Sequence, residues 1–228
     1  QSLSDNIKQL KPENILEILA LYQNKTGESL FDAIQGEVNL GDTRRVLLEH
    51  LNTTLDKAFT NLSEGDIFEK LNNFKNKTDL NLIDSIAKSN SMPKDKKQAF
   101  LDKINLKIQS EIKKINADNI EETLKKYQEK KISITELIST DTGLSASVRK
   151  AYLKHINQTM SKYIANIEIW EYMSDRVHSD YDDTQKPTLT STIIKEKGLS
   201  GEEKVKLIRQ LKDRITNEYL SLEIKKDD

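Results

Sequence analysis

The chain has 228 residues, 36% hydrophobic and 32% charged, with 36 basic side chains against 37 acidic ones and no cysteine. That is enough apolar material for a core. A net charge of -1 supplies no general field toward nucleic acid or an acidic membrane, and the missing thiols exclude disulfides, cysteine metal sites and a cysteine nucleophile.

No run approaches the roughly 18 to 20 apolar residues that cross a bilayer, and residues 1–12 have neither the basic start nor the apolar stretch of a signal peptide. A chain opening on Gln1 reads as a processed or trimmed product, with room for a signal or anchor ahead of it. Seven glycines and three prolines, set against abundant Lys, Leu, Ile and Glu, predict an all-α fold with short connections.

The first amphipathic helix carries Ile15, Leu19 and Tyr22 on one face. A short second helix follows in ESLFDAI, residues 28–34, where Ser29 and Asp32 have the spacing of a helix start and Leu30 and Ile34 are the apolar contacts. After Leu40-Gly41-Asp42 a longer third helix places Leu47, Leu51, Leu55 and Phe59 at intervals of four. The same order then returns. Ile67, Leu71 and Phe74 precede LNLIDSI (80–86), with Asn81 and Asp84 at the start positions; Pro93 suits a first helical turn, and Phe100, Ile104, Ile108 and Ile112 form the third row. Ile120, Leu124 and Tyr127 precede ISITELI (132–138), where Ser133 and Glu136 form a capping-box pair, and Tyr152, Ile156, Met160 and Ile164 follow.

The fourth copy departs from this pattern. NIEIWEYM brings the single tryptophan, Trp170, close to Tyr172, and SDRVHSDYDDTQKPT (174–188) intrudes before Thr188 and Ser191 start the short helix. Ser200 with Glu203 is a second capping-box pair, ahead of Leu207, Leu211, Ile215 and Tyr219. The expected architecture is one domain of four tandem three-helix repeats of about 52 residues, at approximately 12–60, 64–113, 117–165 and 166–221, forming a short solenoid-like stack or a compact helical bundle.

Candidate sites follow from what recurs and what breaks the recurrence. Arg44, Lys97, Arg149 and Lys204 stand three positions before the first apolar residue of each third row, where they could line a face for an acidic partner or pair with Asp32, Asp84 and Glu136. Trp170 and Tyr172 are candidate aromatic anchors for a partner protein. Asp175, His178, Asp180, Asp182 and Asp183 have metal-ligating atoms but no recognised ligand spacing, so neither a metal nor a cofactor is assigned. Asn52, Asn105 and Asn157 recur in the third helices as polar contacts between helices, and His50 and His155 share one repeat position.

Residues 22–51, YQNKTGESLFDAIQGEVNLGDTRRVLLEHL, resemble the latter part of an annexin repeat, a resemblance that implies calcium-dependent phospholipid binding. The chain departs from that family in having no G-x-G, whereas annexin calcium loops use G-x-G-T. There is no P-loop, nucleophile elbow, H-E-x-x-H or dinucleotide fingerprint. The sequence therefore reads as a non-enzymatic protein-interaction module binding a protein partner, with no nucleic acid expected. A calcium- or lipid-responsive membrane-surface protein is the alternative, so peripheral membrane contact stays open. The vocabulary of Lys, Asn and Ile is compatible with a secreted or surface-exposed microbial factor.

Overall fold

A computed structural model of the chain describes residues 3–62, 65–90, 92–140, 144–170, 172 and 188–224. Every regular element among them is helical. The chain divides into two compact units, Gln1–Glu111 with Asp141–Leu144 and Ile112–Thr140 with Ser145–Asp228.

The first unit begins with α1 (Leu3–Lys8), α2 (Ile15–Thr26), α3 (Leu30–Gly36), a 3-10 turn at Val38–Leu40 and α4 (Thr43–Asn61). It continues with α5 (Ile67–Thr78), α6 (Leu82–Lys88) and α7 (Lys94–Lys114), whose final residues from Ile112 belong to the second unit. Helix α4 packs on α1, α2 and α3, and α2 also packs on α5. Ile15, Ile34, Leu47, Leu51 and Leu55 are fully buried where these helices meet, as their spacing predicts. Phe59 is only half-buried and meets Phe100 edge-on at 4.7 Å between ring centroids.

The second unit holds α8 (Ile120–Glu129), α9 (Ile134–Ser139), α10 (Ala146–Asn166), α11 (Leu189–Lys195) and α12 (Gly201–Ile224). Helix α10 packs on α8, α9 and α12, while α11 packs on α8 and α12. Ile120, Leu124, Ile138, Ile156, Met160, Leu189 and Ile193 fill its core. The apolar row of α12 runs out along the helix: Leu207 and Leu211 are buried, Ile215 is half-buried and Tyr219 is 58% exposed.

The short helices start where side-chain chemistry places them. Ser29, Asn81, Ser133 and Thr188 each accept a hydrogen bond from the amide three residues on, at 3.0, 3.1, 3.3 and 3.0 Å. A helix of six or seven residues is too short to propagate from its own backbone bonds, so a satisfied start and packed apolar faces hold it. Ser200 and Glu203 form both arms of the capping box, with the Ser200 amide 2.8 Å from Glu203 Oε2 and the Glu203 amide 3.2 Å from Ser200 Oγ.

Parallels between the units extend to loops. The Lys11 amide donates to Asn14 Oδ1 at 2.9 Å, and 105 residues on the Asn116 amide donates to Asn119 Oδ1 at 3.0 Å. Gln23 Nε2 donates to the Lys88 carbonyl at 3.2 Å, and Gln128, also 105 residues on, donates to the Thr192 carbonyl at 2.9 Å.

Candidate functional site

The recurring basic residues are handled differently by the fold. Arg44, near the start of α4, donates from Nη2 to the Glu37 carbonyl at 2.8 Å, at the C-terminal end of α3. Lys204, near the start of α12, donates from Nζ to the Ile194 carbonyl at 2.9 Å, in the last turn of α11. Neither bond is to a carboxylate. Both cations instead satisfy a carbonyl at the end of the preceding short helix, where the helix dipole also favours positive charge. Lys97 is half-buried near the start of α7.

Arg149 lies on an open groove of about 390 Å³ within the second unit. Three cations of α10, Arg149, Lys150 and Lys154, line it together with Leu153, Ser139 at the end of α9, and Glu203 from α12. The offset of four puts Lys150 and Lys154 on one face of α10, and Arg149 reaches the same opening from the adjoining position. Glu203 is held by the Ser200 amide and by Asn157 Nδ2 at 3.3 Å, so the recurring asparagine here joins α10 to α12. The groove is thus basic along one wall, with a fixed carboxylate opposite.

Trp170 is 60% exposed, and the Tyr172 amide donates to the Glu168 carbonyl at 2.9 Å. Near Tyr172, the Tyr163 phenol of α10 donates to Glu121 of α8, whose Oε1 lies 2.7 Å from Lys125 Nζ. Burial raises the Tyr163 pKa well above the ordinary phenol value, and the hydrogen bond to Glu121, the charge of Glu121 and Tyr172 push the same way. A raised phenol pKa stabilises the fold fully below the unfolded value of about 10, and that contribution is lost as pH rises through the folded value. Thermal midpoints taken from about pH 9 to 11.5 are expected to fall more steeply for the wild type than for Tyr163→Phe. Parallel slopes would remove Tyr163 as the titrating group.

A second polar cluster was not legible as a site in the sequence. Glu196, at the end of α11, is 0% exposed. Its Oε1 accepts from Gln128 Nε2 at 2.7 Å; its Oε2 accepts from Thr135 Oγ1 at 2.7 Å, Ser133 Oγ at 3.1 Å and the Thr135 amide at 3.2 Å. Ser133 Oγ in turn accepts from the Lys197 amide at 3.1 Å, and Thr135 Oγ1 from the Gly198 amide at 3.1 Å. Each hydroxyl therefore donates to the carboxylate and accepts from the chain that follows it. The cluster ties α8 and α9 to the α11–α12 connection. Glu196, Ser133 and Thr135 are buried at its centre, and its bonds hold these segments together.

His155 Nε2 lies 3.0 Å from the Ile115 carbonyl and carries the proton that bond requires. Among the described residues no three His, Asp or Glu side chains come together as a metal site. Asp175, His178, Asp180, Asp182 and Asp183 lie outside the described residues. No family model, curated protein or solved structure matches the chain.

Proposed function

We propose that the chain is a non-enzymatic protein-interaction module made of four tandem three-helix repeats, two in each compact unit, whose second unit binds an acidic segment of a partner protein. The repeat reading draws on the four side-chain-capped short helices and on the matching loop and glutamine bonds 105 residues apart. The binding reading rests on one observation, the groove lined by Arg149, Lys150 and Lys154. A carboxylate-rich segment entering it meets a guanidinium able to bind in a two-pronged manner and two flexible ammonium groups, while Leu153 offers apolar contact. The exposed indole of Trp170 is a second anchor in the same unit.

Within this scheme the four recurrent basic positions are not equivalent. Arg44 and Lys204 hold helix ends. Arg149 lines the groove, and recognition works through it together with Lys150 and Lys154.

The test is a titration of the protein against a fluorescein-labelled polyglutamate peptide at low and high salt. Binding is expected at low salt and is screened as salt rises. Arg149→Glu combined with Lys150→Glu and Lys154→Glu is expected to weaken it roughly tenfold or more, because attraction is replaced by like-charge contact. Equal binding by wild type and the triple variant, with circular dichroism unchanged, would remove the groove as the interaction surface.

A further inference from the structure

The groove of the second unit carries charges of both signs, and where they stand limits what can enter it. Lys150 and Lys154 are four residues apart on α10, about 6 Å along the helix axis. Both side chains are exposed, and neither pairs with a carboxylate among the described residues.

Glu203 faces them from α12. Its oxygens accept from the Ser200 amide at 2.8 Å and from Asn157 Nδ2 at 3.3 Å, both uncharged donors. Asn157 lies three residues beyond Lys154 on α10, so the carboxylate is held toward that end of the groove. A carboxylate has about four acceptor sites, and these two bonds leave the others open. Along α10 the groove therefore reads positive, positive, negative. A segment bearing only acids satisfies the two ammonium groups but brings its next carboxylate toward Glu203, and that like-charge approach weakens binding.

We propose, resting on the acidic-segment reading above, that the groove recognises an extended partner segment of mixed charge: two acids at alternate positions with a lysine or arginine beside one of them, as in Glu-x-Glu-Lys or the reverse order. In an extended chain the side chains of one side recur every two residues, about 6.6 Å apart. That interval is close to the one between Lys150 and Lys154, so alternate acids meet both ammonium groups. The residue beside the second acid points the other way, toward the α12 wall, and its cation meets Glu203. Because Ser200 and Asn157 already orient Glu203, forming this pair orders one flexible side chain instead of two. Arg149, Lys150, Leu153, Lys154 and Glu203 are exposed or half-buried, so the segment reaches them without opening the core.

The experiment is a fluorescence-anisotropy titration of the full chain with labelled Gly-Ser-Glu-Ser-Glu-Lys-Ser-Gly, its counterpart in the reverse order, and both peptides with glutamine in place of lysine. For wild type, the better lysine peptide is expected to bind about threefold tighter than its glutamine counterpart, the scale of a partly exposed ion pair. The basic wall alone would give the opposite order, since the glutamine peptides are the more acidic. In Glu203→Gln, whose amide oxygen can still accept the Ser200 amide, the preference for lysine is expected to vanish or reverse.

Equal or tighter binding of the glutamine peptides by wild type in both orders overturns the mixed-charge inference. This comparison uses wild type alone, so it decides the matter even should Glu203→Gln not fold. A lysine preference that survives in folded Glu203→Gln also overturns it. The acidic-segment reading is judged separately by the triple variant Arg149→Glu/Lys150→Glu/Lys154→Glu. If the glutamine peptides bind wild type and are lost from that variant, the reading stands even without a preference for lysine; if no peptide binds at low salt, both fall.

Discussion

Gly198→Ala is expected to destabilise the second unit by about 3 kcal/mol or more, at the upper end of what overpacking produces. A Cβ on Gly198 would lie 2.0 Å from the Thr135 carbonyl oxygen, 2.2 Å from its carbonyl carbon and 2.8 Å from the Glu136 nitrogen. All three atoms are backbone in the first turn of α9, so no side chain can swing aside. Nor can the glycine segment retreat freely. The Lys197 and Gly198 amides are bonded to Ser133 and Thr135, and backing away to relieve the clash breaks both bonds. Gly201→Ala is the control, because a Cβ there meets no atom within 4 Å. It is expected to be neutral or slightly stabilising, since alanine reduces the freedom of the unfolded chain. Urea unfolding followed by circular dichroism reads both variants, and a loss below about 1 kcal/mol for Gly198→Ala would mean that the close approach relaxes at little cost.

Glu196→Ala is expected to remove about 3 to 4 kcal/mol from the same unit. Its carboxylate is the common acceptor for Gln128, Ser133 and Thr135 in a place without solvent. Deleting it strands several donors, and a stranded buried donor costs about 1 to 3 kcal/mol unless water or a new partner reaches it. Glu196→Gln separates shape from chemistry. It fills the same space but puts an NH₂ group where one of the oxygens accepts, so about 1.5 to 3 kcal/mol of the loss is expected to persist. A glutamine variant as stable as wild type would show that the network tolerates reversing one of its bonds. Because Gly198 and Glu196 both act on Thr135 of α9, their double variant is expected to lose less than the sum of the two.

Much of the helical scaffold was legible because it depends on local rules. A hydroxyl or amide at the helix start, and apolar residues at intervals of three and four, act within one turn of backbone, and Ser29, Asn81, Ser133 and Thr188 sit where those rules predict. The exposed Tyr219 shows the limit of periodicity, which identifies a face but not how far along the helix a neighbour covers it.

The polar sites were harder to read because they join residues far apart in the chain. Glu196 stands outside the repeated apolar pattern, and its partners lie 61 to 68 residues earlier. Its one visible signal was its place directly after the fourth short helix, close to the glycine of the next turn. The basic series Arg44, Lys97, Arg149 and Lys204 was visible as a recurrence, yet a recurrence of charge does not specify its acceptor. For Arg44 and Lys204 the acceptor is a backbone carbonyl, which every residue possesses and no sequence pattern marks.

The grip of Arg44 and Lys204 on the helices before them bears on how the protein folds. A helix of seven residues, such as α3 or α11, cannot nucleate and persist alone. One amide of its first turn is capped by the hydroxyl just before the helix, but a carbonyl at its far end is held by a side chain of the next long helix. Until that long helix has formed and docked, the short one has no closed end; once it docks, both become ordered together. The cation therefore acts as a latch between a short helix and the long one after it, making α3 and α11 each a dependent of its successor, so that each pair orders as one cooperative event.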